Sequence, residues 1–491
     1  MRKPCFFRST ETLLVALALL TVGVCHAQDA SIPPKADSGN ATASGIVYYQ
    51  NYCANCHGGK LEGGNGGGLR APSDFQHGFE PDAVFRSIRN GIPDLGMPAY
   101  GATLTDEQIN ALVAVIKNPQ QQPSSTTTTT TQSIRERTKL RTLDYEVRVE
   151  VWADGLTTPW AIDFLDARNA LVTERSGPVR IITDGKLLPE PVSGTPKAWE
   201  NGQGGMMDVA VDPDYAKNGW VYLGYSEPGG GSGMTRIVRG KLRDAMWVDE
   251  QVVWQAGKEH YTKSGIHFGC RIVFGPDGKL YFSVGERGSQ QKAQDLSMPN
   301  GKIYRLNTDG TIPVDNPFAN RHGTFPGIFS YGHRNPQGLS FHPVTGELWD
   351  VEHGPRGGDE LNLVRAGQNY GWPLITYGIN YDGKILTRER VRPGLSQPIH
   401  YWRPSIAVAG AEFYTGDLFP YWRNHLLVTS LADKDLRLLQ IQENRVLHEE
   451  ILFDNLARVR EAVTGPDGAI YVVINEPGEI LRLTPIQEKP I

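Results

Sequence analysis

A turn followed by a short apolar strand recurs along the C-terminal part of the chain. Pro-Asp and Pro-Asp-Gly turns precede runs such as WVYL, LYF and IYVV, and proline presets the backbone for a turn. The turns lie about 60 residues apart, or about twice that, and no long amphipathic helix separates the strands. This spacing divides residues 143–490 into about six units and predicts an all-β, six-bladed β-propeller. The turns occupy residues 211–214, 275–278, 342–343 and 465–468.

A smaller N-terminal region carries a Cys-x-x-Cys-His motif. Cys53, Cys56 and His57 have the spacing at which two thiols attach a haem and the histidine binds its iron. Met97 lies in a Gly/Pro-rich loop at 91–100, and its thioether is expected to reach the opposite face of the iron. We therefore predict a haem c with His57 and Met97 as axial ligands. The alternative is that Met97 fills a gap in a small core.

Helical signals follow this loop. Thr105 and Gln108 form a capping box, and the apolar residues Ile109, Leu112, Val113 and Ile116 repeat at helical spacing. With the haem motif early, the Gly-Met-Pro loop late and a closing helix, residues 40–118 resemble a single-haem class I cytochrome c domain. The resemblance implies a small all-α fold.

The first residues are typical of an exported protein. Arg2 and Lys3 precede an apolar run at 13–24 that ends in small residues, so residues 1–27 are predicted to be a cleaved signal peptide. The run is short for a membrane span, and we expect a periplasmic protein without a transmembrane anchor. A lipid anchor on Cys25 is the alternative. Residues 119–142, rich in Pro, Gln, Ser and Thr, are predicted to be a flexible linker.

Charge and cysteine content exclude several classes. The formal net charge of -5 is unclustered, which argues against a nucleic-acid partner. After the signal and haem cysteines are assigned, Cys270 alone remains, so no disulfide framework is expected. Folding stability should come from burial.

Several glycine-flanked polar segments lie in the region after the linker, about one predicted blade apart. They are GQGG at 202–205, GIHFGCR at 265–271, GHRNPQG at 332–338, EHGPRGGDE at 352–360 and NYGWP at 369–373. Together they resemble the soluble aldose and glucose dehydrogenases of the glucose/sorbosone dehydrogenase family, which use pyrroloquinoline quinone (PQQ). The resemblance covers essentially the whole of this region.

The family resemblance implies roles for individual residues. His267 matches the general base that takes a proton from the anomeric hydroxyl of the sugar, as a neutral imidazole can. Glu286 stands where the family places an aspartate that orients this histidine. The carboxylates of PQQ require cations and polar donors. The residues expected to bind it are Arg334, Arg458 and Arg460, with Asn335, Gln203, Gln291 and Lys434.

The resemblance also implies calcium. The backbone carbonyls of Gly354 and Pro355 match those that hold a catalytic Ca²⁺ against the quinone, and oxygen ligands suit this ion. A second calcium site is expected at Asp359, Glu360 and the carbonyl of Tyr370.

These features give one leading hypothesis and two alternatives. The leading hypothesis is a periplasmic PQQ- and calcium-dependent dehydrogenase that oxidises an aldose to its lactone. Electrons would pass to its own haem and then to a cytochrome, a copper protein or a terminal oxidase. The first alternative is a calcium-dependent lactonase with Glu286, Asn335 and Glu352 as metal ligands. The second is a non-catalytic carbohydrate-binding propeller with a cytochrome domain.

Overall fold

The computed structural model describes two parts of the chain. One is residues 138–488 without a gap. The other comprises residues 45, 46, 48, 49, 52, 53, 57, 61, 68–75, 77–92, 97, 99–101 and 103–117. The predicted signal peptide, most of the predicted linker and Cys56 lie outside the described residues.

The N-terminal part contains the helices α1 (Pro81–Asn90) and α2 (Asp106–Lys117). A 3-10 turn at Pro72–Asp74 precedes them. The capping box is confirmed: the Thr105 N–H donates to Gln108 Oε1 at 2.8 Å, and the Gln108 N–H donates to Thr105 Oγ1 at 3.4 Å. The apolar face predicted for this helix is buried. It packs in one core with residues of α1, including Val84 and Ile88.

The remaining part is a six-bladed β-propeller, as predicted. Its strands begin with β1 (Lys139–Arg141) and β2 (Tyr145–Ala153), which belong to the last sheet. The first sheet contains β3 (Pro159–Phe164), β4 (Asn169–Glu174), β5 (Val179–Thr183) and β6 (Lys186–Leu187). The second contains β7 (Met206–Val211), β8 (Trp220–Pro228), β9 (Gly233–Arg243) and β10 (Met246–Gln255), with a short helix α3 (Tyr215–Asn218) after β7.

The other sheets follow in chain order. The third has β11 (Gly269–Phe274), β12 (Leu280–Val284), β13 (Lys302–Leu306) and β14 (Ile328–Tyr331). The fourth has β15 (Pro336–Phe341), β16 (Leu348–Glu352), β17 (Asp359–Val364) and β18 (His400–Trp402). The fifth has β19 (Val408–Phe413), β20 (Leu426–Ser430), β21 (Leu436–Gln442) and β22 (Arg445–Phe453). The sixth has β23 (Val459–Thr464), β24 (Ile470–Ile474) and β25 (Glu479–Glu488).

The two ends of the propeller chain close the ring. Strand β2 pairs antiparallel with β25, so the sixth sheet is completed from the start of the domain. The first strands of the sheets, β3, β7, β11, β15, β19 and β23, contact one another in succession, and β23 contacts β3. Closure buries the edges that separate sheets would otherwise expose.

The start of the propeller differs from the predicted boundary. Residues 119–142 were expected to be linker, but Lys139–Arg141 forms a strand that pairs with β2. This strand lies at the edge of the sheet, where polar and basic residues are common and the sequence looks like linker. Among the described helices, none is long and apolar enough to cross a membrane.

Candidate active site

The candidate site lies at the end of the propeller where the innermost strands begin. The segments leading into β7, β11, β15 and β23 contain Gln203, His267, Arg334 and Arg458 respectively. The recurrent Pro-Asp turns connect innermost strands to second strands, so they lie at the opposite end. Because the innermost strands form a ring, side chains far apart in sequence converge at one mouth.

His267 and Glu286 form a buried pair at this mouth. The Nδ1 of His267 is hydrogen-bonded to Oε1 of Glu286, and the Gly288 N–H donates to the same oxygen at 3.1 Å. The two residues are 7% and 1% exposed. The backbone N–H of His267 donates to Oε1 of Gln203 at 2.8 Å. The structure thus brings together three residues that the sequence singled out.

Electrostatics keep His267 neutral and Glu286 ionised. Burial lowers the pKa of His267 to about 4, and the charge of Arg334 acts in the same direction, against the opposite effect of Glu286. Burial disfavours ionisation of Glu286, but His267, Arg334 and the Gly288 N–H hold its pKa below the ordinary value. At pH 7 the imidazole therefore donates Nδ1–H to Glu286, and Nε2 is the basic nitrogen.

Backbone contacts fix the His267 loop against the loop before β15. The Gly269 N–H donates to Asn335 Oδ1 at 3.0 Å, and the Glu286 N–H donates to the Arg334 carbonyl at 2.9 Å. A Cβ atom on Gly285 would lie on the His267 carbonyl, so only glycine fits there. These contacts connect the loop of His267, the proposed base, to the loop of Arg334, which is expected to bind PQQ.

An open cleft lies over the centre of the ring. Its empty volume is about 710 Å³, including solvent at its mouth. The predicted residues Gln203, Arg458 and Arg460 line it. Other lining residues were not predicted from the sequence; they include Trp160, Arg175, Gln337 and His353. Trp160 and Arg175 belong to the first blade, and Gln337 and His353 to the fourth. The last two lie within the glycine-flanked segments 332–338 and 352–360.

Positive charge is concentrated in this cleft. Arg460 is half-buried over the Trp160 ring, 4.2 Å from its centre, and donates to Gln337 Oε1 at 2.8 Å. Burial and the charges of Arg271 and Arg458 lower the pKa of Arg460 well below its usual value. The cleft is therefore suited to an anionic ligand that would relieve this repulsion.

Arg334 is held in place by Glu352. Oε2 of Glu352 accepts the Arg334 N–H at 2.7 Å and the Asn335 N–H at 3.3 Å, while Oε1 contacts His333 Nδ1 at 3.1 Å. The Arg334 side chain donates to the His353 carbonyl at 3.1 Å. The carboxylate groups of Glu352 and Glu286, two of the ligands in the lactonase alternative, accept hydrogen bonds from different donors, and the two residues are linked through the Arg334 backbone.

Among the described residues, several buried polar atoms at this mouth have no partner. They include Arg334 Nε, Arg460 Nε and Asn335 Nδ2. Buried polar groups are almost always hydrogen-bonded, so unpartnered donors in a cleft point to a ligand with acceptor atoms. The carboxylates and carbonyls of PQQ fit this donor set.

The predicted calcium residues lie around strand β17: Gly354 and Pro355 in the loop before it, Asp359 and Glu360 at its start, and Tyr370 after its end. Pro355 accepts a hydrogen bond from Ser405 Oγ at 3.0 Å through its carbonyl. Asp359 is 1% exposed, and its oxygens accept the N–H groups of Gly354 at 3.0 Å and of Ala407 at 2.7 Å. Its clear role is to hold this loop together, and calcium binding by its carboxylate stays a prediction.

Glu360 supports the predicted second calcium site more strongly than Asp359 does. Burial and the nearby Glu352 carboxylate raise the pKa of Glu360 well above its ordinary value. A buried acidic group with a like-charged neighbour lacks compensating positive charge, which Ca²⁺ would supply. Tyr370, the third predicted residue of this site, is buried and stacks on His333 with ring centroids 4.6 Å apart.

Four predicted PQQ-binding residues are not among those that line the cleft. Arg334 and Asn335 are joined to its neighbours by the contacts described above, whereas Gln291 and Lys434 are not. Gln291 is in a 3-10 helix at Gln290–Ala293 and is exposed. Lys434 is also exposed, and its carbonyl accepts the Leu456 N–H at 2.8 Å. In the described structure, neither Gln291 nor Lys434 contacts His267, Arg334, Arg458 or Arg460. Their roles in binding PQQ stay predictions.

The described haem-binding residues lie in the N-terminal part. The His57 N–H donates to the Cys53 carbonyl at 2.9 Å, as in a helical turn, and Cys53 is buried. Met97 packs against the same apolar core as α1 and α2, where it pairs with Ile92 in an isolated bridge. Haem attachment and axial ligation stay predictions.

Comparison with known proteins gives a family for both parts of the chain. Residues 156–482 match the family model described as glucose/sorbosone dehydrogenase. Residues 40–116 match cytochrome c oxidase, cbb3-type, subunit III. The chain belongs to the glucose/sorbosone dehydrogenase family. It also carries a cytochrome c domain in front of the family's propeller.

Relatives of this family cover the propeller almost completely. The aldose sugar dehydrogenase of Escherichia coli is 42% identical over 347 residues, which is 69% of this chain and 93% of that protein. The crystal structure of its apo-form is similar with a TM-score of 0.65 and 41% identity, over 69% of this chain and 99% of that one. A PQQ-bound aldose sugar dehydrogenase from Streptomyces coelicolor gives a TM-score of 0.57 and 25% identity, over 69% and 98%.

Proposed function

We propose that this protein is a PQQ- and calcium-dependent aldose dehydrogenase that oxidises the sugar at C1 to its lactone and passes the electrons to a haem c in its own cytochrome domain. The observation that carries the proposal is a neutral His267, paired with the ionised Glu286, beside a cleft lined by Arg175, Arg458 and Arg460. Membership of the dehydrogenase family supports it.

In the proposed reaction, one group of residues transfers the proton and another binds the cofactor. Nε2 of His267 accepts the proton of the anomeric hydroxyl, while Glu286 holds the ring in the required tautomer and stabilises the imidazolium that forms. Arg334, Arg458 and Arg460 hold and orient the anionic cofactor. When bound, PQQ supplies a two-electron acceptor for the hydride that leaves C1.

Calcium and the haem complete the proposal. The carbonyls of Gly354 and Pro355, and the group around Glu360, would hold Ca²⁺ beside the cofactor, where a hard cation polarises an oxygen atom. Cys53, Cys56, His57 and Met97 would hold the haem. We propose that the protein works in the periplasm, because residues 1–27 have the composition of a signal peptide, and that a cytochrome, a copper protein or a terminal oxidase takes the electrons onward.

The test is reconstitution of the purified full chain. We would add PQQ and Ca²⁺ to the haem-loaded protein under anaerobic conditions, supply a panel of aldoses, aldehydes and lactones, and record haem absorbance. The proposal expects haem reduction with aldoses and none when PQQ is omitted. Lactone hydrolysis without haem reduction would favour the hydrolase alternative, and no response to any sugar would favour a binding protein.

A further inference from the structure

The fourth sheet carries an exposed segment that the site does not use. Residues 377–403 run from the loop after Tyr370 to the end of β18, and we name this segment the strap. It is irregular over most of its length. It packs directly on the candidate calcium loop, because Arg356 and Ile379 exchange two backbone hydrogen bonds of 3.0 and 2.9 Å. The start of the strap therefore lies next to the candidate calcium loop.

The strap is basic on an acidic propeller. Lys384, Arg388, Arg390, Arg392 and Arg403 oppose two acidic residues, Asp382 and Glu389, which gives the strap a net charge of +3. Residues 138–491 as a whole carry a net charge of -5. Within the described chain, the exposed residues Arg388, Arg390, Arg403 and Arg356 form no ion pair. Four unpaired arginines in one neighbourhood constitute a surface for an anionic partner.

The strap also exposes aromatic and apolar side chains. Tyr377 and Tyr401 stack with ring centroids 4.0 Å apart, and Tyr401 is 42% exposed. Tyr381, Ile385 and Val391 are 51%, 54% and 67% exposed. Tyrosine and arginine are the residues that contribute most to binding at protein interfaces. This composition favours a protein partner over a small ion.

The cytochrome domain of the same chain has the complementary charge. Residues 40–118 carry a net charge of -2. Exposed acidic side chains without an ion pair among the described residues lie at the start of its two helices: Glu80 and Asp82 before and in α1, and Glu107 in α2. The segment between Lys117 and Thr138 spans at most about 70 Å when fully extended, so the domain stays at high local concentration near the strap.

We propose that the strap is the docking surface on which the cytochrome domain of the same chain receives electrons from the cofactor site. The inference rests on the proposed function for its electron-transfer role. The docking itself depends only on charge, exposed aromatic residues and the covalent connection. Arg388 and Arg390 attract exposed carboxylates of the domain, and the tyrosine pair provides apolar contact.

The first test needs no sugar turnover. A carbodiimide couples lysine to carboxylates that touch it, so we would treat the dilute full-length protein and map the products by mass spectrometry. We expect cross-links within one chain from Lys384 to Glu80, Asp82 or Glu107, which weaken in high salt and in the R388E/R390E variant. The matched control is K197E/R321E, which reverses two exposed cations elsewhere on the propeller and should leave the cross-links unchanged.

The second test measures electron transfer in the reconstituted holoenzyme. In R388E/R390E we expect haem reduction by sugar to slow about tenfold or more, while turnover with a small dye that accepts electrons directly stays at the parent rate. The control variant should reduce haem at the parent rate. Unchanged haem reduction in R388E/R390E, absence of the Lys384 cross-links, or cross-links only between two chains would overturn the inference. If the parent fails with both dye and haem, the proposed function fails, and the cross-linking result alone decides the docking surface.

Discussion

At the scale of single residues, the account depends on a neutral histidine oriented by a carboxylate. We expect His267→Ala to lower turnover by about 100-fold or more, because a positioned general base contributes that much. Haem content and thermal midpoint should stay near those of the parent. His322→Ala, which removes an exposed histidine, is the control. Undiminished turnover in His267→Ala would remove this residue from the mechanism.

Glu286 should show its role in the same assay. Glu286→Gln keeps the size of the side chain but can present an amide N–H to the ring, which favours the wrong tautomer. We expect a lower turnover number with little change in the apparent affinity for sugar. An equal loss of affinity and no loss of turnover would show that Glu286 acts only in binding.

The lowered pKa of His267 makes a prediction about pH. Its pKa in the folded apo-protein is about 4, below the ordinary value of 6.5, so between these values the unfolded chain binds more protons than the folded one. The contribution of this group to folding stability is therefore complete above pH 6.5 and falls as the pH drops toward 4. NMR titration of the apo-protein should show an imidazole that stays neutral at pH 5.5. An ordinary titration near pH 6.5 would contradict the burial argument.

The sequence alone identified several residues of the candidate site, but it did not reveal which residues hold them in place. His267, Arg334 and Arg460 stand in segments recognisable without a structure. The hold of Glu352 on the Arg334 backbone and the stacking of Arg460 on Trp160 join different strands or blades, and no local pattern in the sequence encodes them.

At the scale of elements, Asp359 joins the loops after β16 and before β19. Its buried carboxylate accepts backbone N–H groups from both, so Asp359→Ala would leave those donors unpaired. Unpaired buried groups cost about 1–3 kcal/mol each, and we expect a loss of that order in the free energy of unfolding. Chemical denaturation can measure it, with Glu190→Ala at an exposed position as control. A loss equal to that of the control would contradict this structural role.

Strand and turn positions were the most predictable elements, because Pro-Asp-Gly turns and apolar alternation are local signals. The edge strand β1 was not, since Lys139–Arg141 is only three residues long and contains a single apolar residue, Leu140. The helix after the Met97 loop was predictable for the same local reason, through its capping box.

At the scale of the whole molecule, two folded units connected by a short segment should function as one electron-transfer chain. Met97→Ala should keep the covalently attached haem but change its axial ligation and lower its potential. Haem spectra and a redox titration would show this, and sugar-driven turnover with a dye should persist because the propeller is untouched. An unaltered spectrum would remove Met97 from the iron.

The fold class could be predicted because the repeat is periodic and the haem motif is compact. The contacts that build the cleft could not, since ring closure places residues near one another that lie about 300 positions apart, as in the hydrogen bond from Ile162 N–H to Glu461. Such contacts form because the ring of blades closes, and no local sequence pattern predicts them.

The most direct measurement of the central claim is anaerobic stopped-flow absorbance of the PQQ- and calcium-loaded protein mixed with an aldose. The account predicts that haem reduction follows substrate oxidation at a rate independent of protein concentration and is lost in His267→Ala. Full substrate turnover with the haem remaining ferric would contradict it.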